Sequence, residues 1–157
     1  MEKVLEHLNS WKEFVSTPRK ELNGFPICPF AKNAEILFDI IESEEMLLIQ
    51  VLKRERSSKQ LFMFIDINNV LTYTIANYLI DFYNSISRDY QYFVDDVNNP
   101  QFMNGVNTSN SKYLIIIGQR NDILNFSREK LMKTGYYKFL EKKYLKKIGV
   151  DVEKIND

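Results

Sequence analysis

Residues 61–65, Leu-Phe-Met-Phe-Ile, constrain the fold more than any other part of the sequence. Every side chain in this run is apolar, so both faces of the segment need a covering of protein, as in a strand at the centre of a sheet. The run is also shorter than a buried helix and ends in polar residues on both sides. The sequence therefore predicts a sheet with at least one interior strand.

The first residues of the chain predict an amphipathic helix over residues 3–16. Its apolar stripe has spacings of four, three and four residues and consists of Val4, Leu8, Trp11 and Val15. Thr17-Pro18 ends the helix, because the residue before a proline avoids helical geometry.

Two further helices are expected around the 61–65 strand. Ser43 caps the first, which runs to about Arg56; its inward residues are Leu47, Leu48, Val51 and Leu52. Asn68 or Asn69 caps the second. Its inward stripe consists of Leu71, Ile75, Leu79, Phe82 and Ile86.

The remaining strands are predicted at residues 36–41, 89–97 and 113–117, although residues 34–41 also fit a helix. The segment 98–111 is too long for an ordinary hairpin loop, and its apolar residues Phe102, Met103 and Val106 favour an ordered lid over a free tether. A helix from Asp122 ends at Gly135, and a strongly basic helix follows over residues 137–148.

This order of elements predicts an α+β fold with helices packed on a mixed or antiparallel sheet of about four strands. A ferredoxin-like arrangement is the leading specific candidate. We expect a single domain over residues 1–150 and a frayed tail over residues 151–157.

Charge and composition exclude several classes of partner. Lys and Arg together number 21, as do Asp and Glu, so no net field attracts nucleic acid or an anionic membrane. The basic helix is accordingly interpreted as a solvated face. No apolar run is long enough to cross a bilayer, and the N-terminus has no signal-peptide pattern. The chain is predicted to be soluble and cytoplasmic.

The single cysteine, Cys28, lies between two prolines and two phenylalanines in residues 24–31. The prolines predict a semi-rigid, non-helical turn, because each fixes its own φ and restricts the residue before it. A thiol held in this way is either a candidate catalytic nucleophile or a small buried hydrophobic group. The residue type alone favours burial.

Three aspartates lie where predicted strands end: Asp66, Asp95 and Asp96. Carboxylates at such positions can bind a hard cation, but they also cap turns, and no ligand spacing supports a metal. Glycine is too sparse for a phosphate-binding loop of a familiar kind. We therefore expect neither a metal nor a cofactor.

Two separated segments resemble those of a known family. Cys28-Pro29-Phe30-Ala31 is similar to an early Cys-Pro-Phe-Ala signature, and residues 89–93 with Asp95-Asp96 are similar to a Tyr-Gln-Phe segment with paired aspartates. On these residues the chain resembles the uncharacterised bacterial family known as domain of unknown function 1415. It departs from the family pattern at Arg88-Asp89, where the family has His-Pro, and at Thr108, where it has arginine.

The resemblance implies one cleft roofed by residues 98–111, with Cys28 as the candidate catalytic group. The ligand-binding residues that it implies are Tyr90, Gln91, Asp95, Asp96 and Asn107. No activity follows from it, so whether the chain is an enzyme stays open.

Two functions remain. The first is an interaction or regulatory module, with an unknown protein or a second copy of the chain as partner. The alternative is a small enzyme or ligand-binding domain with a cleft centred on Cys28 and Asp95 or Asp96. The single histidine and the lack of a complete catalytic set favour the module.

Overall fold

The computed structural model describes residues 1–155, which form two compact units. The sheet unit comprises Glu35–Pro100 and Ser109–Leu124; the helical unit comprises Met1–Ala34, Gln101–Thr108 and the described residues from Asn125 onward. In chain order the helices and strands are α1 (Glu2–Ser16), β1 (Leu37–Ile40), α2 (Glu44–Arg56), β2 (Leu61–Asp66), α3 (Tyr73–Ile86), β3 (Tyr90–Asp96), β4 (Phe102–Met103), β5 (Val106–Asn107), β6 (Leu114–Arg120), α4 (Asn121–Thr134) and α5 (Lys142–Lys147).

The sheet unit contains a mixed four-stranded sheet in the order β1-β2-β6-β3. β1 runs parallel to β2, whereas β6 runs antiparallel to its neighbours β2 and β3. The run 61–65 lies in the interior strand β2, and its residues from Phe62 onward are buried on both faces. The predicted α+β fold with a four-stranded mixed sheet is confirmed.

The connections between strands differ from a ferredoxin-like topology. That topology needs the element order β-α-β-β-α-β. In the sheet unit the order is β1-α2-β2-α3-β3-β6, and β1 and β2 are direct neighbours. Only β2, α3 and β3 form a split unit, with β6 inserted between the two strands.

An aromatic layer separates the sheet from α2 and α3. Because side chains alternate along a strand, Phe62 and Phe64 on β2 and Tyr90 and Tyr92 on β3 lie on one face of the sheet. The same buried cluster contains residues of both helices, namely Leu47, Val51, Ala76 and Tyr83. Helices α2 and α3 therefore both pack on this face.

Gly118 of β6 makes room for this layer. It pairs with Phe62 in the β2–β6 register, and a Cβ atom at position 118 would lie 2.1 Å from Cε2 of Phe62. The Phe62 ring in turn lies 4.9 Å from the Tyr90 ring between centroids. The absence of a side chain at residue 118 thus lets the ring lie flat over β6.

The helix predictions were right in extent for α2 and wrong in part for α3. Ser43 caps α2 as predicted, its Oγ accepting a hydrogen bond from the Met46 N–H at 3.2 Å. The cap of α3 is Thr72 instead of Asn68 or Asn69, because Asp66 holds the intervening loop. Leu71 therefore precedes the helix.

The predicted inward faces of both helices are confirmed in part, since Leu48, Ile75 and Leu79 pack against the buried core. Ala76 and Tyr83 are the buried residues of α3, whereas Phe82 and Ile86 are exposed. In α2, Leu47 and Val51 are buried but Leu52 is exposed, since it lies about 140° around the helix from Leu47 at 100° per residue.

The edge strand β3 is protected by a side chain of α3. The Asn84 carboxamide accepts a hydrogen bond from the Tyr92 N–H at 2.7 Å and donates one to the Tyr92 carbonyl at 3.1 Å. Both outward-facing backbone groups of Tyr92 are therefore satisfied. Exposed edges otherwise pair with other chains.

The helical unit has its own core. The predicted stripe of α1 is confirmed, with Val4, Leu8 and Val15 buried and Trp11 half-buried; the indole N–H of Trp11 donates to the Thr108 carbonyl at 3.1 Å. A second buried cluster consists of Val15, Leu22, Ile27, Met103, Tyr136, Tyr137, Leu140, Leu145 and Val150.

A short hairpin orders part of the segment 98–111. β4 pairs with β5 around Asn104-Gly105, and both turn residues have positive φ, 49° and 80°. An Asn-Gly pair is the usual sequence of such a two-residue turn. The hairpin is absent from the sequence-based prediction, although this dipeptide indicates it.

The predicted basic helix over residues 137–148 is interrupted. A short 3₁₀ turn, Tyr136–Phe139, is followed by extended backbone at Leu140 and then by α5. The Asn104 side chain bonds both sides of the break, donating to the Phe139 carbonyl at 2.6 Å and accepting from the Glu141 N–H at 3.2 Å. A residue distant in sequence thus stabilises the interruption.

The tail predicted to fray begins at residue 151. Residues 151–155 include a 3₁₀ turn at Glu153–Ile155, and Val152 and Ile155 pack against the core of the helical unit. Residues 156 and 157 lie outside the described part of the chain.

Replacement of Gly118 by alanine tests the aromatic layer. The new methyl group would displace the Phe62 ring, so we expect the free energy of unfolding in urea to fall by about 1–3 kcal/mol, the usual cost of overpacking. The control is Phe62→Leu with and without Gly118→Ala. Equal effects of Gly118→Ala in both backgrounds would contradict the contact.

Candidate functional site

The six residues of the predicted cleft are divided between the two units. Cys28 and Asn107 belong to the helical unit, and the four residues of β3 belong to the sheet unit. Asn107 is exposed at the end of β5, where it pairs with Phe102. Each group is therefore described with its own unit.

The Cys28 turn is fixed on both sides by hydrogen bonds. The Cys28 N–H donates to the Val15 carbonyl at 2.7 Å, near the end of α1. The Tyr136 hydroxyl donates to the Ile27 carbonyl at 2.5 Å. Ile27 is the buried residue of the pair and Cys28 is exposed, so the turn packs through the isoleucine and not through the sulfur.

The environment of the sulfur does not activate it. Although Cys28 is exposed, the surrounding protein desolvates the thiolate and raises the pKa of the thiol above its ordinary value of 9.0. The N–H groups of Phe30 and Ala31 act in the opposite direction but do not outweigh desolvation. At neutral pH the group is therefore a protonated thiol, which is a poor nucleophile.

Alkylation tests both the exposure of Cys28 and the raised pKa of its thiol. We expect iodoacetamide to label the native protein without denaturant, because the residue is exposed, but at pH 7 more slowly than free cysteine, because the raised pKa lowers the thiolate fraction. Mass spectrometry gives the rate, and the urea-unfolded protein is the control. Labelling faster than free cysteine, or none in the native state, would contradict this expectation.

The four predicted residues of β3 do not meet at one point. Alternation places Tyr90 and Asp96 on the face toward α2 and α3, and Gln91 and Asp95 on the opposite face. Gln91 and Asp95 are further separated by about 13 Å along the strand at 3.3 Å per residue. Tyr90 is buried, and its hydroxyl donates to the Lys59 carbonyl at 2.8 Å.

Asp95 is the centre of a buried polar cluster. Its Oδ2 accepts from the Asn110 N–H at 2.9 Å, from the Asn110 carboxamide at 2.5 Å and from the Ser109 hydroxyl at 3.5 Å. Asn110 also accepts from the backbone N–H groups of Lys112 and Tyr113. The cluster joins β3 to the segment that leads into β6.

Burial dominates the protonation of Asp95. Desolvation raises the pKa of its carboxyl above the ordinary value of 3.8, the hydrogen bonds from Asn110 and Ser109 oppose this, and the charge of Asp96 adds to the increase. Asn110 and Ser109, the two bonding partners, belong to the same unit as Asp95. The sequence signal that could have identified Asn110 is an asparagine just before a strand, where its side chain can bond the backbone two residues on.

Asp66 and Asp96 bond to the loops that follow their strands. The Asp66 carboxylate accepts from the backbone N–H groups of Val70 and Leu71 at 2.9 and 2.7 Å. The Asp96 carboxylate accepts from the Asn98 N–H at 3.3 Å and from the Asn99 carboxamide at 2.7 Å. Both aspartates thus stabilise turns, as the capping interpretation predicts.

Residues 1–155 contain neither a cluster of metal ligands nor a helix that could cross a membrane. No group of three or more His, Cys, Asp or Glu side chains in this range is placed to hold a metal ion. None of the helices in the same range has the length and apolar character that a membrane span requires.

Replacements of Asp95 separate its role as acceptor from its charge. We expect Asp95→Ala to lose about 1–3 kcal/mol of unfolding free energy, because the buried donors of Asn110 lose their acceptor. Asp95→Asn keeps a carbonyl oxygen and should stay close to the wild type. Urea unfolding of the two variants measures the difference, and equal losses would contradict the acceptor role.

The pH dependence of the free energy of unfolding tests the raised pKa of Asp95 independently. The folded-state pKa of Asp95 lies above its ordinary value of 3.8, so its contribution to stability is fully present below that pH and is lost as the pH rises through the folded-state pKa. Relative to Asp95→Asn, the wild type should therefore become less stable from about pH 3.8 upward. A wild type that gains on the variant over this range would contradict the raised pKa.

The sequence-based prediction missed an apolar surface on the sheet unit. We define the outer helix face as Met46, Ile49 and Leu52 of α2 together with Tyr78, Phe82 and Ile86 of α3, all of which are exposed. Ile49 exposes 58% of its surface and Tyr78 exposes 74%. The helical spacing of 46, 49 and 52 indicates such a stripe, but the same spacing also fits an inward face.

Comparisons with known proteins add no relative. No protein-family model matches the chain, and no curated protein or solved structure matches it.

Proposed function

We propose that this chain is a protein-interaction module whose contact surface is the outer helix face. The observation that carries the proposal is the exposure of six large apolar side chains on two helices that pack on the same face of the sheet. Exposed apolar patches mark contact sites in soluble proteins.

The composition of α3 supports the proposal. Asp81 is its single charged residue among 14. Thr74 and Ser85 are exposed as well, so the large apolar residues on the outer side of this amphipathic helix are exceptions to its pattern. One side of α3 packs on the aromatic layer, whereas Tyr78, Phe82 and Ile86 are exposed on the other.

Exposed aromatic residues elsewhere have a different environment. Lys130 places its ammonium 4.3 Å from the centroid of the Phe126 ring, and Arg19 places its guanidinium 4.0 Å from that of Phe14. In such a cation–π contact the positive charge is attracted to the face of the exposed ring. In residues 1–155 no cation lies over Tyr78 or Phe82 in this way.

The alternative of an enzyme centred on Cys28 has weaker support. Its thiol has a raised pKa, and the buried carboxylates Asp95 and Asp96 are bonded to neighbouring segments of the chain. The resemblance to domain of unknown function 1415 stays a prediction and supplies no activity.

Photo-crosslinking in living cells tests the interaction module. Benzoylphenylalanine at position 49 or 78 should give a discrete covalent adduct, because these side chains lie at the proposed contact. The matched control is the same group at Phe126, an exposed aromatic of the helical unit. Absence of adducts from both test positions, or the same adducts from position 126, would overturn the proposal.

A further inference from the structure

The dipeptide Asn-Gly occurs twice in the sequence, at residues 23–24 and at residues 104–105. Both asparagines have left-handed backbone geometry, with φ of 54° and 49°, and the glycines that follow have φ of 84° and 80°. Within residues 1–155, a Cβ atom placed on either glycine would have no atom beyond its chain neighbours within 4 Å. The two sites are therefore matched in sequence, in φ and in the open space around the glycine.

An Asn-Gly pair can undergo a reaction without an enzyme. The backbone nitrogen of the glycine bonds to Cγ of the asparagine, its proton is transferred to the side-chain nitrogen, and that nitrogen leaves as ammonia. The product is a succinimide ring. Water then adds across one of the two C–N bonds of the ring and leaves either aspartate or isoaspartate. Glycine favours the first step because it has no Cβ to hinder the attack.

The carboxamide of Asn104 is bonded at both ends. Its nitrogen donates to the Phe139 carbonyl at 2.6 Å, and its oxygen accepts from the Glu141 N–H at 3.2 Å. Closing the succinimide ring expels the nitrogen, so the first bond is lost in the reaction. The second bond must also break if the oxygen turns with the ring. The fold therefore protects Asn104.

The carboxamide of Asn23 lacks this protection. Asn23 is exposed, and in the part of the chain that the structure describes its carboxamide makes no hydrogen bond. One backbone bond opposes the attack, since the Gly24 N–H donates to the Arg19 carbonyl at 2.8 Å. That bond closes a single 3₁₀ turn, Lys20–Leu22, and short exposed turns open at a small cost in free energy.

We propose that Asn23-Gly24 is a site of spontaneous modification, at which the native protein converts Asn23 to aspartate or isoaspartate with water as the only co-reactant. The contrast between the two carboxamides carries the proposal, because one is exposed and unbonded and the other is bonded to both sides of the break before α5.

The conversion alters the turn that leads to Cys28. The Asn23 N–H donates to the Lys20 carbonyl at 3.1 Å, and the Arg19 N–H donates to the Phe25 carbonyl at 3.1 Å. Isoaspartate adds one methylene group to the backbone between these bonds, and either product adds a negative charge at neutral pH. The product is thus a longer or more acidic turn just before the cysteine.

Peptide mapping by mass spectrometry tests the proposal on the full chain during incubation at mildly alkaline pH. Two side-chain bonds protect Asn104 and one backbone bond opposes attack at Asn23, a difference of about one net hydrogen bond. We therefore expect Asn23 to convert roughly fivefold faster than Asn104 in the native protein. In urea the two rates should become similar. Equal native rates, faster conversion of Asn104, or the same ratio in urea would overturn the proposal.

Glu141→Pro removes one of the two bonds that protect Asn104. Glu141 has φ of −62° and follows Leu140 in extended geometry, so proline fits the backbone but lacks the N–H that Asn104 accepts. We expect Asn104 to convert severalfold faster in this variant while the rate at Asn23, the internal control, stays unchanged. Circular dichroism checks that the fold is retained. An unchanged rate at Asn104 in the folded variant would overturn the protection by hydrogen bonding.

Discussion

Packing of the aromatic layer against α2 and α3 determines the orientation of everything else in the sheet unit. Phe62 lies over Gly118 and beside Tyr90, and Leu47, Val51, Ala76 and Tyr83 close the layer from the helix side. Because these contacts fix the rotation of both helices, they also fix which residues face outward. Each helix has apolar residues on more than one side. When one of these sides packs on the aromatic layer, the residues of another side are left exposed as the outer helix face.

The polar residues near the strand ends have mainly architectural roles. Asp66 and Asp96 hold the loops after their own strands, and Asp95 holds the segment before β6 through Asn110. A carboxylate that is bonded to neighbouring N–H groups has little capacity left for a ligand. Cys28 differs, because its sulfur is exposed while the backbone on both sides is fixed, yet its pKa does not favour the thiolate.

Local signals predicted much of the fold. The apolar run of β2, the Ser43 cap and Gly135 after α4 depend on near neighbours in sequence, and all three are confirmed. The break before α5 depends on Asn104, which is 35 residues from Phe139, so no local pattern reveals it. The predicted start of α3 was too early for a related reason. The Asp66 carboxylate accepts hydrogen bonds from the loop N–H groups that would otherwise form the first turn of the helix.

The candidate site was less accessible to sequence reasoning. Either of the adjacent residues Ile27 and Cys28 could be the buried one, and composition alone does not predict which. In β3 the alternation of side chains separates Tyr90 and Asp96 from Gln91 and Asp95, whereas adjacency in sequence suggests that they act together. The outer helix face emerges only when the rotation of both helices is known.

The carboxamide of Asn84 has a consequence for assembly. By occupying the backbone groups of Tyr92, it blocks one pairing position along that border of the sheet. A strand adding beside β3 would first have to displace this carboxamide, whereas β1 forms the other border of the sheet.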